Sequence, residues 1–288
     1  MNDYIIFADS ACDITTELLD KWNVAYCSLS LVFAGSDKEY SDHEIESHEF
    51  YERMRNGEQA KTSAVNMGKF VDYFAKYAKQ GKDILYLAFS SGLSATCNFA
   101  REAADEVMSQ YTDVKIAVVD SLCASAGYGL LLYLMSENKK NGMSMQDNIS
   151  FAEANKLKVC HWFTVDDLKY LKAGGRISPT TALVGSMLNI KPVMKMNNEG
   201  KLISVSKVRG RKAAIKAIAD RYGEMAIDKS GGTVFISHGD CIADAQQLAT
   251  LLKQDYNADI TVTANIGPVI GSHSGPGTLA LFFLANER

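Results

Sequence analysis

The sequence predicts an α/β fold in two parts, a parallel-sheet domain over residues 1–155 followed by a mixed α/β domain over residues 156–288. Three observations predict it. Short apolar runs alternate with helix-length stretches through the first half, as buried parallel strands with helices on their faces do. A two-strand hairpin pattern interrupts that alternation in the second half and brings in antiparallel pairing. The change falls over residues 143–158, where a helix can lead from one part to the other, without a low-complexity linker or short-period repeat.

In the first half, residues 4–8, 25–33, 84–89 and 115–119 read as strands, each an apolar run closed by polar residues. Helices are expected near 43–56, 66–80, 95–110 and 124–141, with Ser41-Asp42 and Asn66 as starts and Gly57, Gly81 and Gly142 as stops. In the second half, residues 159–165 read as a strand and 192–206 as a hairpin turning at Asn197-Asn198-Glu199-Gly200. A helix near 207–222, a strand at 233–237, a helix at 241–254, a strand at 259–264 and a last apolar helix near 278–286 complete the expectation.

Composition narrows the function. The chain has 288 residues, 47% hydrophobic and 22% charged, which is globular, with a formal net charge of −4. That balance gives no overall attraction to nucleic acid or an anionic membrane. The six cysteines form no CxxC pair and read as buried free thiols. The start, Met1-Asn2-Asp3, leads directly into a strand-like run with no secretory signal, and no apolar run reaches the ~18 residues of a membrane span. A cytoplasmic protein is expected.

Polar clusters fall where ligands of parallel sheets bind, beyond the carboxyl ends of strands. Ser90 to Thr96 stops a strand and turns toward a helix starting at Ser94; it reads as a small anion site or as a plain helix cap. Thr62-Ser63 has the same two readings, with the Thr62 hydroxyl a possible donor to the same anion and Ser63 beside it. Gly271 to Gly277 places three glycines, two serines and His273 before an apolar run taken as a helix, so Gly275 can admit a ligand while His273 donates to it. Gly174-Gly175-Arg176 sets an arginine after a tight turn, either to pair with a carboxylate or phosphate or to brace the domains. His43, His48 and His161 read as structural, and His238 as a weaker candidate. The basic stretch Lys207 to Lys212 reads as a solvated helix start or a protein contact. No phosphate loop, dinucleotide fingerprint, HExxH or GxSxG elbow is present, and no metal site or cofactor is expected.

Eight stretches in order resemble the DegV family: FADSACDIT at 7–15, KTSAVN at 61–66, SSGLSAT at 90–96, VVDSLCASAGYG at 118–129, LKYLKAGGRIS at 168–178, LNIKPV at 188–193, KVRGRKAA at 207–214 and SHSGPGTLA at 272–280. The resemblance implies a two-domain carrier that buries a long-chain fatty acid in an apolar tunnel, its carboxylate at the domain junction. It implies Thr62 and Ser94 as the carboxylate's partners, joined by His273 and Arg176. It further implies that a separate fatty acid kinase phosphorylates the presented carboxylate, so the chain itself is no enzyme, and Arg209 to Lys212 can contact that kinase. Two positions depart from the family pattern: Ala95 stands where Gly is frequent, and Ala64-Val65-Asn66 where Gln-Pro-Ser is. Two other readings compete. One is a Ser/His acyl-ester hydrolase or acyltransferase with Ser94 as nucleophile and His273 as base. The other is a phosphate or sugar-phosphate binder.

Overall fold

The computed structural model describes residues 3–178 and 189–288; Leu188, the first residue of the LNIKPV stretch, lies outside them. The chain opens with β1 (Tyr4–Asp9), a short 3-10 turn, α1 (Thr16–Lys21) and β2 (Val24–Cys27). The single strand expected over 25–33 is in fact two. The chain leaves the first sheet after Cys27 and starts β3 (Ser30–Phe33) in another, because the intervening polar groups are used up: Ser10 Oγ accepts the Leu29 N–H at 3.0 Å and Ser28 Oγ accepts the Asp42 N–H at 3.0 Å. Next come β4 (Glu39–Ser41), α2 (Ser47–Arg55) and β5 (Ala60–Ser63). Ser41-Asp42 is therefore not a helix start; Glu46 caps α2 by accepting the Glu49 N–H at 3.0 Å.

The alternation then runs as the sequence predicts, through α3 (Met67–Ala78), β6 (Asp83–Ala88), α4 (Thr96–Gln110), β7 (Ile116–Asp120), α5 (Ser125–Lys140) and α6 (Met145–Asn155), the last in the stretch where the two parts were expected to meet. β8 (Val159–Thr164), α7 (Lys169–Ala173), the hairpin β9 (Ile190–Met196) and β10 (Leu202–Arg209), and α8 (Arg211–Met225) follow. β10 continues through Arg209, so Lys207 and Arg209 sit on a strand and not at a helix start. The chain ends with β11 (Thr233–His238), α9 (Ile242–Tyr256), β12 (Asp259–Asn265), α10 (Pro268–Ser274) and β13 (Leu279–Leu284).

β1, β2, β6 and β7 form an all-parallel sheet in the order β2-β1-β6-β7. A second sheet, β10-β9-β8-β13-β11-β12, is antiparallel except for the β11 and β12 pair. β3, β4 and β5 make a small antiparallel sheet. The α/β expectation therefore holds, with a parallel sheet first and a mixed sheet second.

The last helix expected near 278–286 is instead the central strand β13. Its two faces are both buried: Ala280 and Phe282 join one hydrophobic cluster, Leu279, Leu281 and Phe283 the other. A run apolar on both faces shows no alternation, and a short one cannot be told from a buried helix by pattern. Between the parallel and mixed sheets lies α5, buried nearly all round in its first three turns. It is glycine-thinned where it touches each side. A Cβ on Gly127 would meet His161 Nε2 at 2.3 Å, and one on Gly129 would meet Ile14 at 2.6 Å. The larger cluster consequently runs across both sheets, from Phe7 and Tyr86 to Phe235 and Phe282.

Candidate functional site

A cavity of about 1100 Å³, including its opening, lies at the junction of the three sheets. Its wall is chiefly apolar, with Phe89, Phe163, Met196, Leu202, Ile270 and Phe282 among its residues. Thr62, Ser63, Ser94, Arg176 and His273 all line it, so the structure brings together these residues from β5, the loop before α4, the loop after α7, and α10. Gly275 does not line it. That glycine, at φ +82°, packs under Tyr170, whose ring a Cβ would meet at 2.2 Å.

Thr62 is half-buried on β5, opposite Leu31, while its neighbours Lys61 and Ser63 are exposed. It does not cap α3. Asn66 does that, accepting the Lys69 N–H at 2.9 Å, so the departure at residues 64–66 still closes the helix. The Thr62 hydroxyl is free for His273, with Oγ1 2.8 Å from Nε2.

His273 occupies the last turn of α10 rather than a loop before a helix, so the expected helix N-terminus at Gly277 is absent. Its Nδ1 is buried without a partner, against Gly174, where a Cβ would come within 2.2 Å. A buried N–H with no acceptor is costlier than an idle lone pair. We therefore assign the proton to Nε2, which donates to Thr62 Oγ1 and leaves the threonine hydroxyl proton free for the cavity. Burial, helped by the nearby Arg176 charge, lowers His273 to about 4, so the imidazole is neutral at pH 7.

Ser94 precedes α4, which begins at Thr96 and has Ala95 as its N-cap. Ser94 Oγ accepts the Thr96 N–H at 3.2 Å and lies 2.8 Å from Thr96 Oγ1. With Thr96 donating, the Ser94 proton too can turn to the cavity. Arg176 reaches the wall from the turn after α7, where Gly175 takes φ +69°. Its Nε donates to Leu93 O at 3.3 Å and its Nη1 to Gly174 O. Burial lowers its pKa, and among the described residues no carboxylate pairs with it.

A second polar group lies on the same wall: sequence reasoning missed Ser125 and Thr278, read His161 as structural, and met Ser274 only as part of the Gly271 to Gly277 stretch. His161 Nδ1 donates to Val159 O at 2.9 Å and Nε2 accepts the Ala124 N–H at 3.2 Å. Burial, with the nearby Arg288 charge, pulls it down to about 3. The signal was faint: on β8 every residue is buried, so no alternation marks which ones face a ligand. Ser90, by contrast, is structural. Its hydroxyl donates to Gly200 O at 2.9 Å, and Gly92 fits against the same hairpin turn, where a Cβ would strike Glu199 O at 2.6 Å. Asp9, at the end of β1, accepts from the Tyr86 hydroxyl at 2.6 Å and the Phe89 N–H at 3.0 Å and braces the same loop from below.

The hydrolase reading needs Ser94 bonded to His273 and a third group orienting the imidazole. Ser94 bonds instead to Thr96, His273 to Thr62, and His273 Nδ1 has no orienting partner. Elsewhere, His48, Glu52 and Asp240 cluster at the surface, but Arg55 already pairs with both carboxylates. Arg211 is tied to Asp244 at 2.9 Å and Asp166 at 3.6 Å, whereas Lys207, Arg209 and Lys212 are exposed. Among the described residues no helix is long and apolar enough to cross a membrane.

The profile of the family described as "Uncharacterised protein, DegV family" matches residues 4–286. A DegV domain-containing protein of Clostridium perfringens is 41% identical over 100% of this chain and 99% of its own. Among solved structures, a DegV lipid-binding protein of Thermotoga maritima is similar with a TM-score of 0.86 at 29% identity, covering 99% of both chains. A stearic acid-binding protein of Eubacterium ventriosum is similar with a TM-score of 0.89 at 26% identity, covering 98% of both.

Proposed function

The chain belongs to the DegV family, and from that premise we propose that it is a carrier that binds one long-chain fatty acid in the cavity between its sheets. The observation that carries this reading is the pairing of an apolar wall with one cluster of donors that lacks a carboxylate of its own. Thr62 and Ser94 offer hydroxyl protons, and Arg176 offers a half-buried cation. A carboxylate completes such a cluster, and the acyl chain takes the place of water along the apolar wall.

Magnitudes favour the chain as the source of affinity. Burying a methylene is worth ~0.8 kcal/mol, so a dozen give at most roughly 10 kcal/mol before ordering costs. The polar cluster mainly sets direction, carboxylate toward Thr62. The stearic acid-binding relative supports the ligand class. A sugar phosphate would leave the apolar wall unused.

We further propose that the carrier has no catalytic step of its own and hands the carboxylate to a separate fatty acid kinase. The sequence has no phosphate-binding loop, and the exposed Lys207, Arg209 and Lys212 offer a basic edge for such a partner. The free cysteines of the described residues suit a reducing, cytoplasmic setting.

Native mass spectrometry of the purified protein tests the binding. The expected spectrum shows one added long-chain fatty acid, removable by delipidation and restored with palmitate or oleate. A protein that is empty and takes up neither acid contradicts the reading.

A further inference from the structure

Helix α10 carries His273 but has no cap of its own. Its N-cap is Gly267, which has no side chain, and Pro268 follows without an N–H. The N–H of Val269 is accepted by Asp42 Oδ1 at 2.7 Å, and the N–H of Gly267 by Asp13 Oδ1 at 2.9 Å. The N-cap and N2 N–H groups are thus both accepted by carboxylates, the part that a helix's own capping side chains ordinarily play. Here both acceptors come from the other end of the chain, 227 and 254 residues away. Gly267 is wedged between them: a Cβ there would lie 2.9 Å from Asp13 Oδ1 and 3.3 Å from Asp42 Oδ1. Tyr51 secures the approach, its hydroxyl donating to Ile266 O at 2.9 Å.

Val269 and His273 are one helical turn apart and share a face. Whatever fixes the rotation of α10 at Val269 also fixes where the imidazole points. We propose that Asp13 and Asp42 are positioning residues for His273, capping α10 in trans and holding the imidazole against Thr62. The link to ligand binding rests on the fatty acid reading above; the link to His273 does not.

Both carboxylates are buried, and Asp42 Oδ2 has no partner. Asp13 is further held by Ser125 Oγ at 2.5 Å, itself 3.0 Å from Ser237 Oγ. Burial pushes Asp42 up to about 7, and burial together with the Asp42 charge pushes Asp13 well above the carboxylate range. The other titratable groups facing the pair are Asp9, raised to about 6, and Cys12 and Tyr51, both raised well above their ordinary values. None of them is a cation. Asp42 keeps its proton below about 7; the stability it lends the clamp is greatest below the ordinary carboxylate value of ~3.9 and declines as pH rises from there toward about 7. As pH rises through about 7, negative charge enters a pocket with no cation to meet it, and the clamp weakens.

The experiment compares the full chain with Asp42→Ala and Asp42→Asn, reading the His273 imidazole by nitrogen NMR and oleate affinity by displacement of a fluorescent fatty acid. Asparagine still accepts from Val269 but cannot ionise. Asp42→Ala is expected to shift the His273 Nε2 signal and weaken oleate by roughly tenfold, the scale of a lost helix cap. Asp42→Asn is expected to match the wild type near pH 6 and bind several-fold tighter than it near pH 8.5, a ratio in which the ionisation of oleate itself cancels. The wild-type His273 signal should move through about pH 7, well above the imidazole's own value of about 4, and stay still in Asp42→Asn. An unmoved His273 signal in Asp42→Ala, or identical pH profiles for wild type and Asp42→Asn, overturns the proposal. A wild type that binds no oleate at any pH overturns the fatty acid reading, while the NMR comparison still decides the positioning role.

Discussion

Thr62 Oγ1 and His273 Nε2, 211 residues apart in the chain, meet at 2.8 Å on the wall of the cavity. The imidazole's other nitrogen is sealed against Gly174, so the proton belongs on Nε2 and the threonine's own proton is left to face a ligand. The pair works as a relay of hydrogen-bond direction without any charge on the histidine.

Replacing Thr62 by Val keeps the shape and removes the hydroxyl. A hydrogen bond to a charged group contributes ~1.5–3 kcal/mol, so fatty acid affinity should fall roughly tenfold to a hundredfold, while Thr62→Ser stays near wild type. A displacement titration checks this, and equal affinities for Val and Thr would remove Thr62 from the site.

Gly174→Ala should act through His273. The glycine takes φ −74°, so alanine fits the backbone, but its Cβ would sit 2.2 Å from Nδ1 and must push the ring away. The expected result is a loss of fatty acid affinity comparable with Thr62→Val, accompanied by a displaced His273 signal in NMR. Unchanged binding would show that the ring's position is unimportant.

These two predictions differ in what the sequence could supply. Thr62, Ser94, Arg176 and His273 were nameable because polar residues close apolar runs and because those runs resemble a family. Gly174 was visible as a turn, but its contact with an imidazole 99 residues later is a tertiary fact. Asp13 gave no signal, and Asp42 read as the start of a helix next to it in the chain, since a carboxylate that caps a helix more than 200 residues away has no local pattern. The parallel strands and their helices were legible from alternating runs. β13 was not, because a strand with both faces buried shows no alternation. The three-stranded sheet of β3, β4 and β5 was missed because its strands are at most four residues long and β5 alternates half-buried and exposed residues that are mostly polar.

Acidification should act partly through His161. Its folded value is about 3, whereas an unfolded imidazole titrates near ~6.5. The unfolded chain then binds a proton that the folded one refuses, so this contribution is full above ~6.5 and is lost as pH falls toward about 3. His161→Gln cannot take that proton. Its melting temperature, lower than wild type at neutral pH, should approach the wild-type value near pH 4.5 (roughly two units below ~6.5). A constant gap across that range would contradict the assignment.

Charge reversal at Lys207 and Arg209 separates carrying from presenting. Both side chains are exposed on the edge strand β10, whereas Arg211 is spent on Asp244 and Asp166. The doubly reversed protein should still bind oleate and, with the proposed fatty acid kinase, lose most acyl-phosphate formation. Unchanged coupling would place the kinase contact elsewhere.

The most direct test is carbon NMR of carboxyl-labelled oleate bound to the delipidated protein. The account predicts one bound carboxyl resonance, distinct from free oleate, that stays ionised from about pH 5 to about pH 8 because Arg176 and two hydroxyls favour the charged form. That resonance should shift in Thr62→Val and titrate at higher pH in Arg176→Gln. A bound resonance indifferent to both substitutions, or none at all, would contradict a carboxylate held at the Thr62 and His273 pair.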